Sequence, residues 1–237
     1  MQINIKNKNI TILYMCYSIN ASINASVVGF LSSYILYNNP FTNSTSHTRM
    51  IFRQISIFFA FVTLMQVYDA IFWKSLQDRG GKNQTNYVFT KIAMITNHLQ
   101  PIVLAYLINQ IIPLGDITMV VLYIYTFIAI MYSINAYNRI DYTLVSEQST
   151  PALHWKWNTL NNDSLIKPEL MYSLFLLTIS VISLRLPYPL GVLMLLVNVL
   201  TFSFSKYTYK NTEIGRMWCF IAAYVPVFLL LFEMAYK

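Results

Sequence analysis

The sequence predicts an all-α fold, a polytopic transmembrane bundle of about seven helices, on three observations. Only 11% of the 237 residues are charged, against roughly 25% in soluble domains, while 56% are hydrophobic and 16% aromatic. The apolar residues come in continuous runs close to the ~20 residues with which a helix crosses ~30 Å of hydrocarbon. They do not alternate, which argues against the strands of a membrane barrel. A chain so short of charge cannot clothe a soluble globule. In lipid the backbone must satisfy its own hydrogen bonds, as a helix does.

The elements follow in order. The first run, Ile10 to Tyr37, exceeds the ~7–15-residue core of a secretory signal. It reads as a span behind a short cytoplasmic extension, residues 1–9, so residues 10–237 form one seven-helix domain. The second span is Ile51 to Trp73 and the third Phe89 to Ile112. Pro113-Leu114-Gly115-Asp116 then makes a tight turn, with Asp116 placed to cap the next helix. The fourth span is Ile117 to Tyr137. The link 138–168 is long and polar, and its Trp155 and Trp157 flank Lys156; such a loop is expected at the level of the lipid headgroups. The fifth span, Glu169 to Leu186, and the sixth, Leu190 to Tyr207, are the shortest, joined through Pro187 and Pro189. The seventh is Ile214 to Tyr236, with a kink expected at Pro226.

Charge sets the expected orientation. With the N-terminus on one side, twelve of the 16 basic residues fall on that side and four on the other. The positive-inside rule then makes the N-terminus cytoplasmic and the C-terminus not, the reverse of a G-protein-coupled receptor. The net charge of +7 does not point to nucleic acid, because the basic residues are confined to links between spans. The expected partner is the lipid bilayer. Neither the membrane's identity nor the oligomeric state is written in the chain.

Polar residues inside spans are few and therefore informative. Thr63, Gln66, Asp69 and Trp73 recur at helical spacing on one face of the second span. Asn97, His98 and Gln100 precede Pro101 in the third. At 1.5 Å per residue, Asp69 lies ~6 Å and Gln66 and His98 ~10 Å from the inner end. Gln66, Asp69, Asn97, His98 and Gln100 are thus expected to form a polar intramembrane cluster in the inner half. It serves either as a site that binds or conducts a small polar solute or proton, or as interhelical glue worth about 0.6 kcal/mol per bond. Trp73, Trp155, Trp157, Arg216 and Trp218 are expected as interfacial anchors. Cys16 and Cys219 open the first and last spans and read as small buried thiols rather than a redox or metal pair.

No catalytic motif is present. Two of the three histidines, His47 and His154, lie in links, and there is no H-E-x-x-H, P-loop or G-x-S-x-G. The last span has no lysine before Lys237 for a retinal Schiff base, and no arginine ladder suggests a voltage sensor. Neither cofactor nor metal is expected.

Met15-Cys16-Tyr17-Ser18 at the first span, Met65-Gln66, Asp69 and Trp73 in the second, Asn97-His98-Leu99-Gln100-Pro101 in the third and Gly215-Arg216-Met217-Trp218-Cys219 in the seventh form a pattern. In this it resembles a family of uncharacterised multi-helix membrane proteins of giant DNA viruses and some protists. Members often begin at the Met-Cys and carry glutamate where this chain has Asp69 and Gln100. The resemblance implies Met15 as an alternative start and speaks against a two-carboxylate chemistry here. It implies architecture and no activity.

Overall fold

The computed structural model describes residues 18–38, 45–145, 153–158, 166–188, 190–209 and 214–235. Its elements are α1 (Ile19–Asn38), α2 (Ser46–Arg79), α3 (Gln84–Asn109), α4 (Asp116–Tyr137), β1 (Leu144–Val145), β2 (Leu153–His154), a 3-10 turn (Lys156–Asn158), α5 (Pro168–Ser183), α6 (Leu190–Tyr209), α7 (Ile214–Ala223) and α8 (Val225–Ala235). α7 and α8 are two halves of the seventh segment, interrupted at Tyr224 just before Pro226. Residues 1–17, including Cys16 and the extension, lie outside the described residues, and so does the side chain of Glu233.

The sides of α1 show what solvates the bundle. Its buried residues are Ser22, Ala25, Ser26, Gly29, Ser32, Ser33 and Leu36, while Ile23, Val27, Leu31 and Tyr34 are exposed. Large apolar groups point out and small polar ones point in, the reverse of a helix on a water-soluble core. Small residues let helices approach closely in lipid. Two of the serine hydroxyls satisfy themselves locally, Ser26 by donating to Ile23 O at 2.8 Å and Ser32 to Val28 O at 2.7 Å. α4 likewise turns large apolar groups outward, with Ile117 79% and Phe127 67% exposed. Six helical segments are long and apolar enough to cross a membrane, counting α7 with the start of α8; α5 has 16 residues and is shorter. The chain is a multi-pass helical membrane protein.

Contacts between links show how the helices alternate. At one end Arg185, after α5, donates to Pro113 O after α3 at 3.2 Å. At the other end Asn86 in the first turn of α3 donates to Thr143 O, beyond α4, at 2.8 Å, and Thr143 N returns a bond to Asn86 Oδ1 at 2.8 Å. α3 and α4 therefore run antiparallel, and α5 returns to the Pro113 end. α2 overshoots its expected end by six residues. It stops where Gly80 (φ 63°) takes a left-handed conformation, with Gly80 N–H bonded to Leu76 O at 3.1 Å and Gly81 N–H to Ser75 O at 3.2 Å. Asn83 then caps α3, accepting from Asn86 N–H at 3.0 Å.

The long link behaves differently from its expectation. β1 and β2 pair antiparallel, Leu144 opposite His154 and Val145 opposite Leu153. This short hairpin turns residues 153–157 back under the helices as a strap.

Candidate functional site

The strap meets two buried charged residues. Asp69, on α2, is fully buried, and its Oδ1 accepts the Trp155 indole N–H at 2.9 Å. Arg216, in the first turn of α7, is also fully buried and donates from its guanidinium to Leu153 O. An acid and a base from different helices thus grip the strap two residues apart. A buried charge is costly unless hydrogen-bonded and compensated, and here opposite formal charges face the same short segment. Trp155 and Trp157 stack with centroids 4.9 Å apart, and the Tyr132 hydroxyl of α4 donates to Trp157 O.

A second layer lies above. Cys219, one turn beyond Arg216, accepts from Asn97 Nδ2 at 3.2 Å and Gln100 Nε2 at 3.3 Å. Gln100 Oε1 accepts the Trp218 indole N–H at 2.8 Å. Asn97 Oδ1 accepts the Tyr172 hydroxyl of α5 at 2.7 Å. Asn97 and Gln100 sit three residues apart on one face of α3, which lets both amides reach one sulfur. The close packing needs Gly215: a Cβ there would meet the Tyr172 ring at 2.3 Å.

His98 points the other way. Its Nδ1 is 3.0 Å from Ser133 Oγ on α4, and its ring packs edge-on to Tyr132 at 5.3 Å and tilted to Tyr172 at 6.1 Å. The backbone carbonyl of His98, in the turn loosened by Pro101, accepts the Tyr125 hydroxyl at 2.7 Å.

The five cluster residues are therefore all buried but divided among partners. Asn97 and Gln100 share the Cys219 network, Asp69 belongs to the strap, and His98 to α4; Gln66 lies fully buried on the Asp69 face of α2. Four of the five expected anchors need correction. Trp155, Trp157, Arg216 and Trp218 are fully buried in protein instead of facing headgroups. For three of them the reason is chemical: the Trp155 and Trp218 indoles and the Arg216 guanidinium find acceptors in Asp69, Gln100 and the Leu153 carbonyl, while Trp157 is held by its stack on Trp155 and by the Tyr132 hydroxyl on its carbonyl. Trp73 alone is half-buried. Cys219 is buried, as expected, but it is a hydrogen-bond hub as well as a packing group.

Sequence reasoning missed Tyr132, Ser133 and Tyr172, and the strap as partner of Asp69. Tyr172 carried a usable signal, since it lies one turn inside the end of α5 that faces the link. Among the described residues no three His, Cys, Asp or Glu side chains converge as they would around a metal ion. No protein family, curated protein or solved structure matches the chain.

Proposed function

We propose that the protein binds or conducts a proton or small polar solute at the buried polar centre, with the strap as its closure on the cytoplasmic side. One observation carries the reading: Asp69 and Arg216, both fully buried, are fixed to the same three residues of the long link. Helix pairing alone has no need of such groups. An ionised side chain in a span costs about 2.5–3.5 kcal/mol on insertion scales, whereas neutral amides such as Asn97 and Gln100 hold helices together without that cost. The cytoplasmic assignment rests on the twelve-to-four division of basic residues. We carry the family resemblance into the same proposal: the acid at position 69 stands where those proteins have glutamate, and a host or viral membrane is the setting.

The test uses Asp69→Asn, whose amide oxygen still accepts from Trp155 while the charge is gone. Purified protein in liposomes loaded with a pH-sensitive dye should dissipate an imposed proton gradient. Asp69→Asn should lower that flux at least tenfold while unfolding at nearly the parent temperature. Parent flux no faster than protein-free liposomes would overturn proton conduction.

A second reading, a membrane scaffold, draws on the Cys219 network. Its bonds run from protein to protein across α3, α5 and α7, as interhelical glue would. If Asp69→Asn and His98→Ala fold, localise and support function like the parent, the transport reading fails; a loss of folding with no loss specific to a solute favours the scaffold.

A further inference from the structure

At the end of the bundle away from the strap, a groove of 370 Å³ runs between α1 and α2. Phe30, Tyr34 and Tyr37 wall it on one side, Ile57 and Ala60 on the other. The three aromatic residues recur at steps of four and three, so they share one face of α1. Tyr34 is 69% and Ile57 41% exposed, so the groove opens sideways, towards lipid. Its mouth is basic. Arg49 and Arg53 lie one turn apart on α2, both exposed, and Ile57 and Ala60 continue the same stripe. Like charges at that spacing repel. Among the described residues neither guanidinium makes an ion pair. Arg53 lies over the Tyr37 ring, 5.9 Å from its centroid, which sets it at the groove.

Below the guanidiniums comes a hydroxyl. Ser33 lines the groove four residues before Tyr37, ~6 Å deeper along α1. It is 3% exposed, and its Oγ has no hydrogen-bond partner. A hydroxyl buried without an acceptor is costly. Ser56, on the α2 side of the groove, already donates to Arg53 O at 2.7 Å. Deeper still, Phe30, Ile57 and Ala60 present only apolar surface. From mouth to floor the groove therefore runs from cation to hydrogen-bond donor to hydrocarbon.

We propose that this groove is a binding site for one anionic glycerophospholipid of the leaflet opposite the strap. Its phosphate sits between Arg49 and Arg53, an ester carbonyl of its glycerol accepts from Ser33 Oγ, and one acyl chain lies along Phe30, Ile57 and Ala60. The parts of such a lipid follow one another in the same order as the chemistry of the groove. Guanidinium N–H pairs match phosphate oxygens, and a negative headgroup relieves the repulsion between the two arginines. A sterol would leave both arginines unused, and free phosphate would leave the groove empty. The site is built by α1 and α2, goes beyond the reading given to Asp69, and stands or falls independently of any proton flux.

Native mass spectrometry of the delipidated full chain in neutral detergent counts bound lipid. Dioleoylphosphatidylglycerol should add one saturable copy per chain. Inorganic phosphate alone should not, nor should dioleoylglycerol, which has the chains without the phosphate. Arg49→Gln combined with Arg53→Gln should weaken the lipid about tenfold or more. Lys206→Gln removes an exposed charge from the last turn of α6, at the strap end, and should leave binding unchanged. Ser33→Ala should weaken it about two- to tenfold, the worth of one hydrogen bond. Absence of a saturable copy in the parent overturns the site, and that measurement needs no variant. Inorganic phosphate binding as tightly as the lipid overturns a lipid occupant. Dioleoylglycerol binding as tightly, or a loss in Lys206→Gln equal to that of the double variant, overturns the role of the two arginines, and unchanged binding in Ser33→Ala overturns that of the hydroxyl.

Discussion

At the scale of single residues, the strap depends on donors that have no substitute. Trp155→Phe keeps the ring and its stack on Trp157 but deletes the N–H that Asp69 Oδ1 accepts at 2.9 Å. Hydrogen bonds to charged groups contribute about 1.5–3 kcal/mol, so the variant should lose about that much stability. In a Cys16→Ser background a thiol-reactive dye reports it, because Cys219 is buried and reacts on unfolding: the midpoint should fall by several degrees, and an unchanged midpoint would remove Asp69 from the strap's support. His154, in the link and outside the spans, makes a second prediction. Burial, and then the charges of Arg216 and Lys156, hold its pKa below the ordinary imidazole value of 6.5. As pH falls through 6.5 the unfolded chain takes up the proton first, so stability is full above that value and declines below it until the folded imidazole also protonates. Unfolding midpoints measured from pH 8 down to 5 should therefore drop less in His154→Gln than in the parent. Parallel curves for the two proteins would mean that His154 does not titrate differently on folding. These residues also show where the sequence stops being readable. Asp69 announced itself as an acid in an apolar run. Its partner lies 86 positions away in a polar link, where no periodicity marks Trp155 as buried, and Trp-Lys-Trp composition suits a headgroup loop equally well.

At the scale of elements, the α1–α2 contact is set by small residues. A Cβ at Gly29 would meet Thr63 Oγ1 at 2.5 Å and Cγ2 at 2.8 Å, and Ala223 O at 3.1 Å. Thr63 is fully buried and its hydroxyl is tied to Phe59 O at 2.7 Å, so it cannot swing away cheaply. Gly29→Ala should cost about 1–3 kcal/mol by overpacking. Thr63→Ala removes the two nearest of these three atoms, so the double variant should recover most of the loss, and a double-mutant cycle on the unfolding midpoints measures the coupling. Additive effects would mean that the two helices do not touch here. Helix identity was legible because hydrophobic runs and Pro or Gly punctuation are local. The ends were less so: α2 runs six residues past Trp73 because Lys74 and Asp78, an exposed i,i+4 pair at 3.1 Å, favour helix in water as readily as the apolar run does in lipid. The partners of the polar residues were the least legible. His98 and Asn97 are adjacent in sequence yet about 100° apart around α3, so one turns to α4 and the other to α7.

At the scale of the whole molecule, α5 is the helix whose crossing matters most. With 16 residues it is about 24 Å long, short of ~30 Å of hydrocarbon. Mismatch of that size costs fractions of a kcal/mol per Å when lipid must adapt. Here much of α5 is covered by protein: Met171, Tyr172, Phe175, Ile179 and Ile182 are buried, and Asn198 on α6 donates to Ser180 Oγ at 2.8 Å. Its ends are also fixed from both sides of the bundle, by Tyr172 on Asn97 at the strap end and by Arg185 on Pro113 O just past the other. A helix anchored at both ends to neighbours that do cross must cross with them. Asp78, in the last turn of α2, and Tyr188, which follows α5 and is 84% exposed, are separated by α3, α4 and α5, so three crossings put them on opposite faces. In a Cys16→Ser background, Asp78→Cys and Tyr188→Cys should differ towards a membrane-impermeant maleimide. Intact cells should label Tyr188→Cys at once and Asp78→Cys only after permeabilisation, if the strap end is cytoplasmic. Exchange of the two outcomes would reverse the orientation and leave the fold intact. Labelling of both from one side would mean that α5 does not cross, which would also leave the Tyr172 hydroxyl without its route to Asn97.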